Sequence, residues 1–469
     1  MKTKRKRGAS MHGSFFYIGL AVAVSLVLSA CAVGPVYQRP DTAPPETWGE
    51  VEKAAGERGA WPEQTWWQVF SQPDLDLLME TAITQNFDIK AAAARIEQAR
   101  SLKRITNAEL LPDMSVGLGL GLDDKNGIGG ATGSSSVSTS LSYEVDLWGK
   151  NRSVNDVASA RYLGSVYDMR TVVVALTAEV ATSYFTALAL HDQLGIIEKT
   201  IEDEAGLLTL MEKKYRFGDI SGLDLALAKQ RLASLEAQIP SIERRRSQSE
   251  NGLALLLGQN PGEVNIAGSL AAASLPVTIP VGIPSGLLER RADIKRVESD
   301  LVAANADIGR AKAALFPTIR LTMEGGYAGE DLLKLLSPTN AFYAIGGEIV
   351  TTVFHREKLT AEYDRTTAVY QELLYNYRQT VLAAFREVAD ALVAIQKLDE
   401  NERLLRDSAA MAERAYRLSE IRYRQGLTDF STVLTADKSL LEARNNLVQA
   451  RLDRIGALIS LYTALGGGW

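Results

Sequence analysis

An internal repeat constrains the fold of this 469-residue chain more than any other feature of its sequence. Asp88-Ile89-Lys90 recurs 205 positions later as Asp293-Ile294-Lys295. Near the end of each half, Leu257-Gly258 recurs at an offset of 208 as Leu465-Gly466. Because nearly the same offset persists from the start of each half to its end, the chain is predicted to contain two copies of one architecture.

Each half contains a helical stretch that is far longer than an ordinary globular helix. Apolar residues recur at heptad-like spacing from about residue 153 to residue 216, and Leu404 to Leu418 continues this pattern in the second half. Some sixty residues of helix would be roughly 90–100 Å long at 1.5 Å per residue. Gly218 and Gly426 follow these stretches, where glycine allows one helix to end and a second to return. The pattern predicts one long helical hairpin in each half.

Two segments of alternating character precede the long helix in each half. Apolar residues alternate with small or polar ones at 114–122, 137–147, 319–324 and 343–349. Each run is close to the roughly 9–11 residues with which a tilted strand crosses a bilayer. A soluble sandwich with one wet face explains the strand pattern equally well. The intervening segments, 124–134 and 329–340, are predicted to be exposed loops.

A glycine-rich run within the first strand resembles a nucleotide-binding motif only superficially. Gly117, Gly119 and Gly121 alternate strictly with apolar residues, and no helix start follows them. The alternation favours small, inward-facing positions on a strand.

Four strands are too few to form a closed barrel. The smallest membrane-spanning barrels use about eight strands, and open edges do not persist in lipid. If these strands cross a membrane, two or three chains must therefore share one barrel. Only the larger closure, with about twelve strands, leaves room for a solute path.

The first thirty residues have the organisation of a secretory signal. An apolar stretch from Phe15 to Leu28 follows a basic segment, and Leu28-Ser29-Ala30-Cys31 resembles a lipobox. Cys31 is the only cysteine in the chain, so we expect it to be lipidated; the alternative is an ordinary signal that leaves an unpaired exported thiol. Ala32 is not an acidic retention signal, so by analogy with bacterial lipoproteins we expect the outer membrane as destination.

Charge and motif content argue against several functional classes. Removing the signal segment with its five basic residues takes the net charge from -6 to about -11, which disfavours nucleic-acid binding. Only His191 and His355 remain beyond that segment, and no phosphate-binding loop or His-Glu pair at metal spacing occurs. We therefore expect no enzymatic activity, no cofactor and no metal site.

Six short motifs resemble the TolC-like outer-membrane efflux protein family, lipoprotein branch, over nearly the whole mature length. They are residues 31–40 (CAVGPVYQRP), Trp67 with Phe70 before 86–89 (NFDI), 143–149 (YEVDLWG), 287–294 (LLERRADI), 422–426 (RYRQG) and 464–469 (ALGGGW). Two departures occur at junctions: Ala292 replaces a usual proline, and Phe354-His355-Arg356 replaces a common Phe-Asp-Gly-Gly turn. These departures put the local geometry in question more than the function.

The resemblance implies an α+β membrane protein with two structural repeats per chain. Its trimeric β-barrel would have twelve strands, four per chain, and would continue into a long periplasmic α-helical coiled-coil barrel. We expect a signal peptide at 1–30, an N-terminal equatorial segment at 31–86, repeat 1 at 87–260, a linker at 261–286 and repeat 2 at 287–469.

The resemblance further implies a homotrimeric channel that serves as the exit duct of a tripartite efflux pump. Such a duct passes drugs or other small molecules outward from an inner-membrane RND-type transporter and a periplasmic adaptor (membrane fusion) protein. Its remaining partners are outer-membrane lipids. A duct for secreted proteins is the closest alternative, followed by a lipid-anchored coiled-coil spacer without a pore. An envelope hydrolase lacks a catalytic constellation.

The family closes its tunnel near the hairpin tips, which assigns candidate gate residues here. An Asp six residues past the first tip glycine bonds a Tyr three residues before the second, and Asp224 and Tyr423 occupy those positions. The residues alone also allow Asp224 to begin a helix turn and Tyr423 to cap the heptad seam. Thr432 and Thr435 stand where relatives place acidic residues, and Asp429 and Asp437 lie nearby. The sequence therefore does not decide which of these four side chains line the narrowest ring of the tunnel. The tips expected to contact the adaptor comprise Arg216, Gly218, Asp219, Ser221, Arg424, Gly426 and Thr428.

The lipobox yields a direct test. We expect the intact mass of the mature protein to exceed its polypeptide mass by a diacylglycerol and an amide-linked acyl group at Cys31, because two or more acyl chains give stable anchoring. An unmodified N-terminal cysteine would contradict this. A Cys31→Ser variant with a standard signal should still reach the membrane if the strands span it.

Overall fold

The computed structural model of the chain describes residues 33–48, 64–123, 132–262, 264, 266–276, 282 and 284–467. The predicted signal peptide and Cys31 lie outside the described residues, as do residues 124–131 of the first expected loop. The chain forms two compact units, each assembled from separate segments. The described residues of the first unit lie within 33–41, 95–165 and 296–377, and those of the second lie within 42–94, 166–295 and 378–467.

The two halves repeat the same order of elements. The first half contains α1 (Pro73–Gln85), α2 (Phe87–Ala108), β1 (Asp113–Asp123), β2 (Thr132–Val145), α3 (Lys150–Arg216), α4 (Gly222–Glu236) and α5 (Ile239–Leu256). The second contains α6 (Leu287–Arg290), α7 (Ala292–Ala313), β3 (Thr318–Gly329), β4 (Ala341–Val350), α8 (Arg356–Arg424) and α9 (Phe430–Ala464). Short 3-10 turns lie at Trp66–Phe70, Leu270–Ala272, Pro284–Gly286, Leu332–Lys334 and Pro338–Asn340. Helices α2 and α7 have 22 residues each and begin 205 positions apart, so the predicted duplication is confirmed.

The strand-to-helix signature at 143–149 fixes the start of the first long helix. The Asp146 carboxylate accepts hydrogen bonds from the backbone N–H groups of Asn151 (3.0 Å) and Arg152 (2.9 Å), which have no partner within the helix. The Trp148 indole donates to the Pro317 carbonyl at 2.8 Å. Helix α3 therefore begins at Lys150, three residues earlier than predicted, and β2 ends at Val145 rather than residue 147.

The corresponding junction in the second half has a different backbone. In the first half Gly149 takes a left-handed conformation with φ of 80°, whereas Phe354-His355-Arg356 makes the turn without a left-handed residue. The departure of Phe354-His355-Arg356 from the family motif thus coincides with a turn of different backbone conformation. Ala292, the other departure, begins α7 and does not interrupt it.

Both long helices end at the predicted glycines. Helix α3 has 67 residues and α8 has 69, which corresponds to roughly 100 Å each. Gly218 (φ 80°) and Gly426 (φ 73°) then adopt the left-handed conformation that glycine tolerates best. The following residues, Asp219 and Leu427, donate their N–H groups back to the final turn of each helix at 2.9 Å. This is the closure expected of a glycine-terminated helix.

The two return helices differ because of one proline. The first hairpin returns as two helices, α4 and α5, whereas α9 is continuous over 35 residues. Pro240, near the start of α5, lacks an N–H group, and its ring would clash with the carbonyl four residues earlier in an unbroken helix. Val448 occupies the equivalent position in α9 and imposes no break.

The second unit contains the main apolar core. Trp66 stacks on Tyr462 with ring centroids 5.3 Å apart, and Phe70 meets Phe185 edge-on at 4.9 Å. Helix α3 contains an apolar stretch whose length and composition would allow it to cross a membrane, but half of that stretch is buried within the protein. Its fully buried Tyr184 and Phe185 belong to this core, so its apolar character serves packing.

The start and end of each repeat are joined by side chains of different chemistry. Directly before the first repeat, the Asn86 amide donates to the Leu256 carbonyl near the end of that repeat at 2.9 Å. In the second, the Arg291 guanidinium donates to the Ala464 carbonyl at 3.1 Å and also pairs with Asp293 and Glu387. Each bond satisfies a carbonyl at the end of a helix, where no further turn is available.

The first unit contains one antiparallel sheet with strand order β1-β2-β3-β4. Its central pair, β2 and β3, joins the two repeats. Strand β2 begins at Thr132 inside the expected loop, because 132–134 continue the ladder with β1 through Asp123, Leu122 and Gly121. The second expected loop contains two short 3-10 turns, and β3 extends to Gly329.

Adjacent glycines in β3 provide a matched test of this sheet. A Cβ atom at Gly326 would lie 2.0 Å from the Val137 carbonyl oxygen, whereas one at Gly325 would meet its nearest neighbour, the Phe342 carbonyl oxygen, at 3.6 Å. We expect Gly326→Ala to destabilise the sheet by about 1–3 kcal/mol through overpacking, and Gly325→Ala to have little effect. Thermal unfolding midpoints in detergent would measure this difference. Equal midpoints for the two variants would contradict the strand register.

Candidate functional site

The sheet presents one face of exposed apolar side chains. The register aligns Met114, Leu141, Met323 and Ile345 in a single row across all four strands. Residues on this face that are more than 45% exposed are Met114, Val116, Leu118, Leu120, Leu122, Leu321, Met323, Tyr343, Ile345 and Ile349. A soluble protein rarely leaves so large a contiguous apolar surface uncovered, so this face requires an apolar environment.

The opposite face is mostly polar: serines and glycines dominate β1 and β2, charged side chains lie near the C-terminal end of β2, and Phe342 and Val350 are its large apolar members. Here the register aligns Ser115, Ser140, Glu324 and Ala344, and the Ser115 and Ser140 hydroxyls lie 2.7 Å apart. The glycines of β1 lie on this face opposite serines, and a Cβ atom at Gly119 would approach the Ser136 hydroxyl to 2.6 Å. Other members of the face are Ser134, Ser138, Ser142, Glu144, Arg320, Thr322, Gly346 and Glu348. The alternation therefore separates a hydroxyl-rich surface from an apolar one.

The two outer strands leave the sheet open. Strands β1 and β4 each pair on one side only within the described residues. An exposed edge carries unpaired backbone donors and acceptors that favour pairing with another chain. The sheet can therefore accept a further strand at either edge.

The hairpin tips are held by a small apolar cluster that all four tip helices build. Its buried members are Leu207, Met211, Ala228, Tyr423, Phe430 and Val433. The Tyr423 ring lies 5.7 Å from Phe430, and the Lys214 ammonium lies 5.2 Å from the Tyr423 ring centroid. Tyr423 is thus fixed in the heptad seam.

The hydrogen bond that the family resemblance implies between Asp224 and Tyr423 is not present in this structure. The Asp224 carboxylate instead accepts from Ser221, whose hydroxyl in turn accepts from the Asp224 N–H. This capping box satisfies the first turn of α4 and turns the carboxylate toward its own helix. The Tyr423 hydroxyl is buried without a partner among the described residues. Burial raises the pKa of Tyr423, and the Asp224 carboxylate adds to this increase.

Asp429, Thr432 and Thr435 form the start of α9. The Asp429 carboxylate accepts from the Thr432 N–H (3.1 Å) and hydroxyl (2.8 Å) as the N-cap of the helix. The hydroxyls of Thr432 and Ser431 hold the pKa of Asp429 below its usual range. Thr435 donates to the Ser431 carbonyl at 2.8 Å. All three candidates are exposed at the tip, so they remain available to line a constriction.

Asp437 occupies a different environment from the other candidates. It is buried, and its Oδ2 accepts from both Nε (2.7 Å) and Nη2 of Arg231. Glu204 is buried beside this pair, and its pKa is raised to about 7, mainly by burial. Sequence reasoning missed Arg231 and Glu204, because periodicity alone does not pair residues that lie on separate helices.

The candidate adaptor-contact residues all lie at the two glycine turns or beside them. Arg216, Gly218, Asp219, Ser221, Arg424 and Gly426 are exposed, and Thr428 is half-buried. The structure adds three exposed apolar side chains, Phe217, Leu223 and Leu427. Apolar residues that flank a turn glycine were the available sequence signal. Among the described residues, no group of three His, Cys, Asp or Glu side chains could hold a metal ion.

Comparison with known proteins places these features in a family. The family model described as "Outer membrane efflux protein" matches residues 78–259 and 283–467. The pyoverdine export outer membrane protein OpmQ of Pseudomonas putida is 34% identical over 457 residues, which cover 95% of this chain and 96% of that protein. The toluene efflux pump outer membrane protein TtgF of Pseudomonas putida is 31% identical over 468 residues, with 96% of both chains covered.

Solved structures share the fold over almost the full chain. The outer-membrane channel OprN superimposes with a TM-score of 0.87 at 27% identity, covering 94% of this chain and all of that one. CusC, whose structures address folding and transmembrane channel formation, gives a TM-score of 0.85 at 28% identity and covers 93% of this chain and all of that one.

The tip geometry predicts different effects on stability for substitutions at Tyr423 and at Asp224. Tyr423→Phe should leave thermal stability unchanged or raise it, because it removes a buried hydroxyl that has no partner. Asp224→Ala should destabilise the tip by about 0.5–2 kcal/mol through loss of the cap, whereas Asp219→Ala, at an exposed acid outside the capping box, should not. Unfolding midpoints would measure these effects. A Tyr423→Phe loss larger than that of Asp224→Ala would show instead that the hydroxyl is bonded in solution.

Proposed function

This chain belongs to the outer membrane efflux protein family, and on this premise we propose that three copies of it form an outer-membrane channel. The channel serves as the exit duct of a tripartite pump. It receives small molecules from an inner-membrane RND-type transporter through a periplasmic adaptor protein. Lipidation of Cys31, which lies outside the described residues, would add a second attachment to the outer membrane.

The open, two-faced sheet carries this proposal. Its exposed apolar face suits contact with lipid chains, and its hydroxyl-rich face suits a water-filled lumen. With four strands per chain, three copies supply twelve strands, and closing the ring pairs each β4 edge with a β1 edge of the next copy. Eight strands from two copies would leave an interior filled by side chains.

The helical hairpins supply the rest of the duct in this proposal. Six hairpins from three chains would surround a tunnel, with repeats 87–260 and 287–469 as the units of duplication. The turns at Gly218 and Gly426, with exposed Phe217, Leu223 and Leu427, offer apolar contacts to an adaptor. The exposed Asp429, Thr432 and Thr435 are the candidates for the tunnel constriction.

The cargo that this proposal assigns is a small molecule rather than a protein. OpmQ and TtgF are named for pyoverdine export and toluene efflux respectively, and this chain resembles both at similar identity. A hydroxyl-rich lumen face carrying Glu144, Glu324, Glu348 and Arg320 offers polar contacts to a small solute. The inner-membrane partner would then select the cargo. The family consists of efflux proteins, and we assign no catalytic role to this chain.

Two measurements test the channel together. Native mass spectrometry in mild detergent should give a trimer, because the sheet edges of one chain remain unpaired until the ring closes. Planar bilayers that contain the purified protein should show discrete conductance steps. A stable monomer with full strand content would contradict the shared barrel. A trimer that never conducts, including in variants with a loosened tip such as Asp224→Ala, would favour the coiled-coil spacer.

A further inference from the structure

The helical hairpins contain a buried polar layer to which all four helices contribute. Glu204 lies on α3, Arg231 on α4, Tyr416 on α8 and Asp437 on α9. Glu204 is 3% exposed and Asp437 is 3% exposed, while Arg231 is 5% exposed. Tyr416 is half-buried beside them. Both hairpins of one chain therefore meet at a single cluster of ionisable groups.

Apolar layers flank this cluster on both sides. Toward the tips lie Leu207, Met211 and Val433, which belong to the apolar tip cluster. On the other side, Ile197, Leu235 and Leu441 form a separate buried cluster. A polar layer inside an otherwise apolar helical assembly fixes the register of the helices, because sliding would bury its groups unpaired.

The charges of the layer balance only when one carboxyl group is protonated. Arg231 supplies one positive charge and pairs with Asp437. The Glu204 carboxyl forms no hydrogen bond with any residue that the structure describes. Ionisation of Glu204 would therefore place a second negative charge beside a cluster that has one buried cation, where low polarity makes repulsion strong.

We propose that Glu204, Arg231, Tyr416 and Asp437 form a proton-controlled latch between the two hairpins of one chain. With Glu204 protonated, the hairpins pack in a single register and hold the tunnel closed. Ionisation of Glu204 loosens the layer and makes opening easier. The effect on opening rests on the proposed channel function, whereas the effect on packing does not.

Besides Arg231 and Asp437, the charged groups that act on Glu204 are both acidic: Asp203, which precedes it on α3, and Glu420, one helical turn beyond Tyr416 on α8. Arg444, on α9, acts on Asp437. Arg424 forms an ion pair with Glu420, and Arg444 lies 3.8 Å from Glu413. Both of these arginines therefore pair with acids other than Glu204. Burial raises the pKa of Glu204 to about 7, with Asp437 adding to the increase and Arg231 opposing it. Burial also raises the pKa of Asp437 and of the Tyr416 hydroxyl.

The sign of the pH dependence follows from this raised pKa. The folded chain keeps a proton on Glu204 that the unfolded chain releases near the ordinary value of 4.5. Stability contributed by that proton is complete below pH 4.5 and is lost as the pH rises through about 7. Between pH 6 and pH 8 the ionised fraction of a group with a pKa of about 7 rises about tenfold.

A neutral, isosteric substitution tests the latch in the intact trimer. We expect the unfolding midpoint of the parent protein to fall by at least about 3 °C between pH 5 and pH 8, and that of Glu204→Gln to lose this dependence. Opening frequency in planar bilayers should rise several-fold from pH 6 to pH 8 in the parent and stay constant in Glu204→Gln. The matched control is Glu202→Gln, which makes the same change at an exposed position two residues away.

The outcomes distinguish the latch from the channel. The latch is overturned if Glu204→Gln keeps the pH dependence of the parent, or if Glu202→Gln removes it equally. Absence of conductance in the parent and in both variants at every pH would reject the channel function instead. In that case the pH dependence of the unfolding midpoints still decides whether the buried layer responds to a proton.

Discussion

The free edges of a four-stranded sheet are the constraint on which this architecture depends. Each outer strand leaves a row of backbone groups unpaired, and a lipid environment offers neither donors nor acceptors to replace them. Each unpaired group would cost several kcal/mol there. Assembly of several chains is therefore a condition for the sheet to exist in a membrane, and the separation of apolar and hydroxyl-rich faces follows from the same surroundings.

Two sets of contacts join the two repeats within one chain. In the sheet, β2 of the first repeat pairs with β3 of the second over eleven residue pairs. In the helices, Arg231 of the first repeat pairs with Asp437 of the second. Neither repeat thus completes its own hydrogen bonding, because each relies on groups from the other. A single repeat expressed alone would expose both a strand edge and an unpaired buried charge.

Much of this structure could be predicted from periodicity and motifs. The family, the α+β channel fold, the two repeats and the glycine turns are confirmed.

The prediction that β2 begins at residue 137 is wrong. Its first residues, Thr-Gly-Ser at 132–134, have the composition of a loop, and only their pairing with β1 reveals a strand. Pro240 is the sequence signal for the break between α4 and α5. At Asp224 the sequence allowed either a bond to Tyr423 or the start of a helix turn, and the capping box agrees with the helix turn. The Arg231–Asp437 pair could not be predicted, since its members lie 206 positions apart. The lipid anchor, the domain limits and the gate residues stay predictions.

The closures at Asn86 and Arg291 show how the repeats could diverge without losing their shape. In both repeats the acceptor is a main-chain carbonyl, which every residue carries, so only the donor is encoded by a side chain. A neutral amide and a guanidinium can then exchange across evolutionary time while the backbone geometry persists. One consequence is that the two closures respond differently to ionic strength. Salt can screen the partly exposed Asp293 and Glu387 carboxylates that pair with the buried Arg291, whereas the neutral Asn86 bond has no charge to screen.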